Sequence, residues 1–254
     1  MHDGTAVWSG GESRSPIDLW LIPGFGDSHL CFSDVFDQPI AARARIHVWD
    51  LPGHGASPPQ AEGLTVAHAA CLLRDLITQV SGDRPVLLVA HALGSVIAIV
   101  TAQLLGAPPK LLVNVAGELA PADTGECDGE AEYSSPVAFV EKLRQETVAA
   151  ALTDSTLRHY WRSLQLADSP TLWSLHRSLL AYRSAGDAFL RLPCPTTYYW
   201  DPTSAPQRTQ HLLARHRPAQ RKLAGLGHWP MVKAPAVFYR LLEEDMDRYL
   251  VPAR

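Results

Sequence analysis

The sequence predicts an α/β protein with a mostly parallel central sheet and helices on both of its faces. Two observations support this prediction. Apolar runs of strand length alternate with longer segments of helical period. Most of these runs are closely followed by Gly, Pro or Asp, which are typical of loops. With 254 residues, of which 46% are hydrophobic and 19% charged, the chain can bury a substantial core. We therefore expect a single domain over residues 1–254.

Five short apolar runs are predicted to form the strands of this sheet. They cover residues 17–22, 46–49, 86–90, 111–115 and 196–200. Helices with one apolar face are predicted to pack on the sheet at 66–80, 95–105 and 235–250. Helical crossovers of this kind connect parallel strands, which is why the sheet is predicted to be mostly parallel.

The alternation stops over residues 119–192, which predict a helical cap insertion. Three consecutive amphipathic helices are expected there, at 136–151, 155–166 and 170–183. The insertion is rich in aromatic residues, namely Tyr133, Phe139, Tyr160, Trp161, Trp173, Tyr182 and Phe189. They would form an apolar lid over the carboxyl edge of the sheet, where α/β sheets bind ligands. Alternatively they pack within the insertion itself, as we expect for more than half of them.

A sharp turn from strand to helix is predicted at residues 90–94, which read AHALG. In a nucleophile elbow, G-x-S-x-G, small residues at both ends let the strand and the helix approach each other closely. Here the small residues remain, and Ala92 stands where the serine would be. Ser95 lies three positions further on and is expected to point into the first turn of the helix.

Three other motifs follow predicted strands or precede the last helix. Residues 21–26 read LIPGFG, and the backbone N–H of Phe25 could converge with that of Leu93 on a developing oxyanion. Residues 50–57 read DLPGHGAS, and residues 225–230 read GLGHWP, which places His228 just before the final helix. The residues expected to bind a substrate around these motifs are Gly24, Asp27, Trp229, Tyr160 and Trp161.

Over essentially the whole chain, the order of these motifs resembles that of the serine α/β-hydrolases, especially small-cap bacterial esterases and carboxylesterases. The resemblance implies the α/β-hydrolase fold and a triad of Ser, Asp or Glu, and His in chain order. By that likeness Ala92 occupies the position of the nucleophile and His228 is the general base. No residue in the sequence implies a cofactor.

Two carboxylates compete for the third place in the triad. Asp201 follows the strand at 196–200 and lies 27 residues before His228, which leaves room for one helix and one strand. Glu118 lies 26 residues after Ala92, just past the strand at 111–115. The segment YYWDPTS around Asp201 lacks the glycine of the usual G-x-x-D pattern. Asp201 is nevertheless favoured.

Two hypotheses explain the alanine at position 92. In the first, the chain is a hydrolase of an ester or thioester with a small to medium apolar acyl or alcohol group, inactivated by a serine-to-alanine change. In the second, it is a natural non-hydrolytic protein that binds a ligand, or that uses His228 as a lone base in lyase, isomerase or oxygenase chemistry. The intact surrounding motifs favour the first.

Composition argues against several other classes of function. The net charge of −4 and the pI of about 6.2 provide no basic field for nucleic acid or an anionic membrane. No segment reaches the roughly 18 apolar residues of a membrane span, and no signal peptide is recognisable, so we expect a cytoplasmic protein. The four cysteines form no C-x-x-C pair and the histidines no H-E-x-x-H motif, so no metal is expected. The expected partner is a small-molecule substrate, bound by a monomer or homodimer.

Overall fold

The computed structural model describes residues 4–117, 119, 135–179, 182 and 185–250. Its strands are β1 (Val7–Gly11), β2 (Asp18–Ile22), β3 (Arg45–Trp49), β4 (Val86–His91), β5 (Leu111–Val115), β6 (Thr196–Trp200) and β7 (Gln220–Lys222). They form one sheet in the order β1-β3-β2-β4-β5-β6-β7. Strand β1 runs antiparallel to β3, and all the other pairs are parallel.

The helices lie between and after these strands. They are α1 (Val66–Ser81), α2 (Leu93–Leu104), α3 (Pro136–Ala151), α4 (Ser155–Leu164), α5 (Ser169–Leu179), α6 (Ala185–Leu190), α7 (Gln207–His216), α8 (Pro230–Lys233) and α9 (Pro235–Leu250). Two 3-10 helices, His29–Asp37 and Pro39–Ala42, connect β2 to β3. Polar side chains start several of the α-helices: Thr65, Ser135 and Asp154 each accept a hydrogen bond from a backbone N–H in the first turn.

Side chains alternate between the two faces of each strand, so the buried strands contribute to two separate cores. On one face, residues such as Leu88 and Ala90 of β4 pack with α1 and α2. On the other face, Leu87 and Val89 pack with α9. Strands β2, β4 and β5 are buried along their whole length, which explains why they read as continuous apolar runs. The predicted mostly parallel sheet with helices on both of its faces is confirmed.

No pattern in the sequence predicted the positions of strands β1 and β7 or of helices α6, α7 and α8. Strand β1 (VWSGG) is largely exposed and β7 (QRK) has three polar residues, so neither shows an apolar run. Helix α7 buries only two residues, and its sequence is correspondingly polar. Together α7 and β7 occupy the interval between Asp201 and His228, which was expected to hold one helix and one strand.

Helices α3, α4 and α5, here called the α3–α5 segment, lie between β5 and β6 and share a small apolar core. This core contains Phe139, Tyr160 and Leu164, with Trp161 and Trp173 half-buried against it. Phe189 belongs instead to the core of the main sheet. Among the described residues helix α5 spans Ser169–Leu179 and Tyr182 is not helical, so the helix predicted over 170–183 is seen only as far as Leu179. Tyr133 lies outside the described residues.

Candidate active site

The loops that carry the sequence motifs meet at the carboxyl edge of the sheet. Ile22 at the end of β2 pairs with Ala90, and His91 at the end of β4 pairs with Val115 at the end of β5. Because these parallel strands end at the same level, the segments that follow them emerge side by side. The loop of residues 23–28, predicted from the sequence to bind an oxyanion, is called the oxyanion loop below. It therefore shares one edge with the turn at Ala92 and the loop that begins at Asp201.

Ala92 has the backbone conformation of a nucleophile elbow although it lacks the nucleophile. Its φ of 47° and ψ of −122° lie in a region that residues with a side chain rarely adopt. Such a conformation costs about 1–3 kcal/mol and persists only where the surrounding structure holds it. Here Ala92 N–H donates to Val115 O at 3.0 Å, and α2 starts at the next residue. The structure thus maintains a strained turn at this position.

Gly94 allows this turn to lie directly on the oxyanion loop. A Cβ atom at position 94 would overlap the carbonyl oxygens of Pro23 and Ile22. Both of these are backbone atoms at the end of β2, so they cannot move aside like a flexible side chain. The small residue at the end of the AHALG motif is therefore required by close packing, as the sequence indicated.

We expect Gly94→Ala to destabilise the protein by about 1–3 kcal/mol, because the added methyl group must push two backbone segments apart. Urea unfolding followed by circular dichroism measures this change. Gly106→Ala is the matched control, since a Cβ there would meet nothing within 4 Å. An unfolding free energy that is equal in the two variants would contradict the close approach at Gly94.

The oxyanion loop lies against Ala92 and presents its backbone. A Cβ on Gly24 would lie 3.1 Å from the Cβ of Ala92. Asp27 N–H donates to Gly24 O at 3.2 Å and closes a tight turn. Because C=O and N–H of one peptide unit point in opposite directions, this bond also orients the N–H of Phe25. In the described part of the chain, the N–H groups of Phe25 and Leu93 donate to no protein acceptor.

The histidine loop, residues 225–229, is held by three of the other motifs. His91 Nε2 donates to the carbonyl oxygen of His228 at 2.9 Å, which identifies the protonated ring nitrogen of His91. Trp229 Nε1 donates to Asp27 Oδ2 at 3.0 Å, and Gly227 N–H donates to Asp201 Oδ2 at 2.7 Å. The elbow, the oxyanion loop and the end of β6 therefore all fix the segment that carries His228.

Asp201 is a buried carboxylate that accepts several hydrogen bonds from the protein. Burial by itself would raise its pKa, but hydrogen bonds from Thr203 and from the backbone of Gly225 and Gly227 outweigh burial and lower the pKa to about 2. Among the hydrogen bonds of the described residues, none joins Asp201 to the imidazole of His228. Glu118, the competing acid, lies outside the described residues.

The two histidines at the site both favour the neutral form. Desolvation of the imidazole lowers the pKa of His228 to about 4, although the residue as a whole is exposed. Burial, together with the nearby His228, lowers the pKa of His91 well below its usual value. Their rings lie 4.7 Å apart, edge to face. A neutral imidazole at position 228 is the form that can accept a proton.

Three of the residues expected to bind substrate contact one another through Trp229, which bonds to Asp27 and packs against Tyr160. Tyr160 OH donates to Phe25 O at 3.1 Å, and its ring lies 5.1 Å from that of Trp229. Asp27 is 1% exposed, and burial raises the pKa of its carboxyl group. These polar groups are thus already engaged within the protein. Trp161 is half-buried beside the apolar core of the α3–α5 segment.

Other side chains near the site were not anticipated as site residues. Phe139 and His176 of the α3–α5 segment lie 6.4 and 6.3 Å from the ring of Phe25, between ring centres. No local motif marks them, because only the packing of this segment brings them to the oxyanion loop. Ser95 Oγ donates to Ala90 O at 2.7 Å, as expected of a residue in the first turn of the helix.

A cavity of about 160 Å³ opens between the ends of β5 and β6 and the start of α7. His228 and Asp201 both border it, together with Tyr198. The described residues include no group of three side chains that could hold a metal ion. No described helix combines the length and the apolar character needed to cross a membrane.

Comparison with known proteins identifies a family and confirms the predicted α/β-hydrolase fold. A family model described as "Alpha/beta hydrolase family" matches residues 21–241. An esterase from Thermogutta terrifontis is similar in structure, with a TM-score of 0.79, 16% identity and coverage of 96% of this chain and 93% of that one. A carboxylesterase from Nitrososphaera gargenis has a TM-score of 0.79, 14% identity and coverage of 98% and 97%. An N-acyl homoserine lactonase has a TM-score of 0.75, 16% identity and coverage of 98% and 94%. No curated protein sequence matches the chain.

Proposed function

The chain belongs to the α/β-hydrolase family, and on that basis we propose that its site is that of a serine-type ester or thioester hydrolase with alanine at the nucleophile position. The observation that carries this proposal is the strained backbone at Ala92, which the structure maintains without a hydroxyl to present. The three hydrogen bonds that hold the histidine loop also support it.

In the proposed reaction, a serine at position 92 attacks the acyl carbonyl and gives its proton to His228. The N–H groups of Phe25 and Leu93 stabilise the oxyanion. The bond from carbon to the leaving oxygen or sulfur then breaks, and the proton on His228 passes to the leaving group. Water, activated by His228, releases the acid and restores the serine. Asp201 is the proposed acid of the triad, since it is ionised and bonded to the histidine loop.

The proposed substrate has a small to medium apolar acyl or alcohol group. The residues of the α3–α5 segment beside Phe25 are largely aromatic, which suits an apolar ligand. An esterase, a carboxylesterase and a lactonase share the fold, and esters, thioesters and lactones can all be opened by the same attack on a carbonyl. We further propose that the chain acts on a free small molecule in the cytoplasm, as a monomer or homodimer.

A second candidate function is favoured by the absence of a hydroxyl at position 92. Because the hydroxyl of Ser95 donates to Ala90 O, Ser95 does not replace the missing nucleophile. A neutral His228 could then act alone as a base in a non-hydrolytic reaction. This candidate requires that the chain with Ala92 is active and that restoring serine adds nothing.

The experiment that tests the proposal is covalent labelling with a fluorophosphonate. We expect Ala92→Ser to be labelled at residue 92, located by peptide mass spectrometry, and the unmodified chain to remain unlabelled at that position. The label requires a nucleophilic serine activated by a base and an oxyanion site. A folded Ala92→Ser protein that resists labelling would refute the serine-hydrolase proposal and favour the second candidate.

A further inference from the structure

Asp27 connects two segments that are distant in sequence. Its Oδ2 accepts a hydrogen bond from the indole N–H of Trp229, the residue after His228, and its Oδ1 accepts one from the N–H of Ser28. Its own N–H closes the turn that orients the N–H of Phe25. One residue thus contacts both the oxyanion loop and the histidine loop.

Helix α4 also holds the oxyanion loop in place. Ser28 Oγ and Ser163 Oγ lie 2.8 Å apart, within hydrogen-bonding distance. Leu164 and Tyr160 of α4 leave no room for a side chain at Gly26, where a Cβ would lie 2.7 Å from Leu164 Cδ1. The oxyanion loop is therefore enclosed between α4 and the histidine loop, and the carboxylate of Asp27 lies at the junction.

A carboxylate that is 1% exposed cannot contact a substrate directly in this arrangement. It can instead determine where the oxyanion loop and His228 lie relative to each other. A displacement of about 1 Å in a catalytic group costs on the order of 10²-fold in rate. Because the buried carboxylate touches no substrate itself, we expect such a displacement to change turnover more than binding.

From this geometry we propose that Asp27 is a positioning residue that holds the oxyanion loop and the histidine loop in register. The proposal rests on the proposed hydrolase function. Asp27 acts through Trp229 and through its own backbone turn, and it touches no reacting atom. It therefore differs from the substrate-binding role expected of Asp27 from the sequence.

The kinetic test uses the Ala92→Ser protein as its background. We expect Asp27→Ala to lower kcat about 10²-fold and to leave KM within about threefold. Asp27→Asn keeps the shape of the side chain and one acceptor oxygen, so its loss should be smaller, about 10-fold. Trp229→Phe keeps an aromatic ring but removes the donor, and it should also lower kcat. Asp37→Asn is the matched control, because Asp37 is an exposed carboxylate in the 3-10 helix that follows the oxyanion loop. The kcat of this variant should equal that of the Ala92→Ser background.

A second readout does not depend on turnover and is measured in the unmodified Ala92 protein. The indole N–H signal of Trp229 in a proton–nitrogen NMR spectrum is identified by its loss in Trp229→Phe. In Asp27→Ala we expect this signal and the imidazole signals of His228 to shift together, and in Asp37→Asn we expect neither to shift. Only variants that retain the native melting temperature enter this comparison, so that the shifts do not reflect unfolding.

Each outcome decides the proposal. A lower kcat with an unchanged KM, together with shifted His228 signals, supports positioning by Asp27. A raised KM with kcat unchanged would show direct substrate contact and overturn the proposal, as would His228 signals that stay in place when Asp27 is lost. If the Ala92→Ser background has no turnover, the hydrolase function fails, and the NMR comparison still decides whether Asp27 positions His228.

Discussion

Ala92→Ser is expected to raise the turnover of short- and medium-chain aryl esters and thioesters by at least about 10³-fold over the unmodified chain. The elbow conformation and the neutral His228 are present without the serine, and the N–H groups of Phe25 and Leu93 donate to no acceptor among the described residues. The substitution adds one oxygen atom at a half-buried position. Steady-state rates of the purified proteins measure the gain.

Ala116→Ser is the matched control for this gain. Ala116 follows β5 at the same edge of the sheet, and its φ of 50° resembles that of Ala92. A hydroxyl at position 116 would thus also lie on a residue with a positive φ, but not at the start of α2 beside the oxyanion loop. We expect no rise in turnover from this control. A gain of similar size in both variants would mean that the rate does not come from a nucleophile elbow.

In the Ala92→Ser protein, His228→Ala is expected to lower kcat by at least about 10⁴-fold, because no other group then takes the proton of the serine. The pH dependence of kcat/KM should identify the same histidine. Its pKa is lowered from 6.5 to about 4, so the imidazole is still mostly neutral at pH 6. Activity should therefore persist as the pH falls from 7 to 6, and it should be lost only as His228 becomes protonated below that range.

His216→Ala is the control for this loss, since His216 is an exposed histidine at the end of α7. It should change neither kcat nor the pH profile. Comparison of Asp201→Asn with Glu118→Gln in the same background assigns the acid of the triad, because the true acid supports the protonated state of His228. An acidic limb that stays in place when His228 is replaced would contradict its role as the base.

Most of the fold could be predicted from local patterns in the sequence. The buried strands are apolar on both faces, so β5 and β6 were predicted with their observed ends, and the amphipathic helix α9 was too. The turn at Ala92 was predictable because close packing of strand and helix requires a small residue at Gly94. Edge strands β1 and β7 were not predictable, because polar strands with one solvated side lack such a pattern.

The amino-acid sequence was sufficient for the class of fold, the turn at Ala92 and the order of the motifs, since these depend on hydrophobic period and on steric limits near glycine. Only the folded structure shows that His91, Asp201 and Asp27 each hold the histidine loop. Only it shows that Asp27 and Tyr160 use their polar groups within the protein. These contacts join residues more than a hundred positions apart in several cases, and their geometry is determined by how the strands and α4 pack together. No local pattern in the chain contains that information.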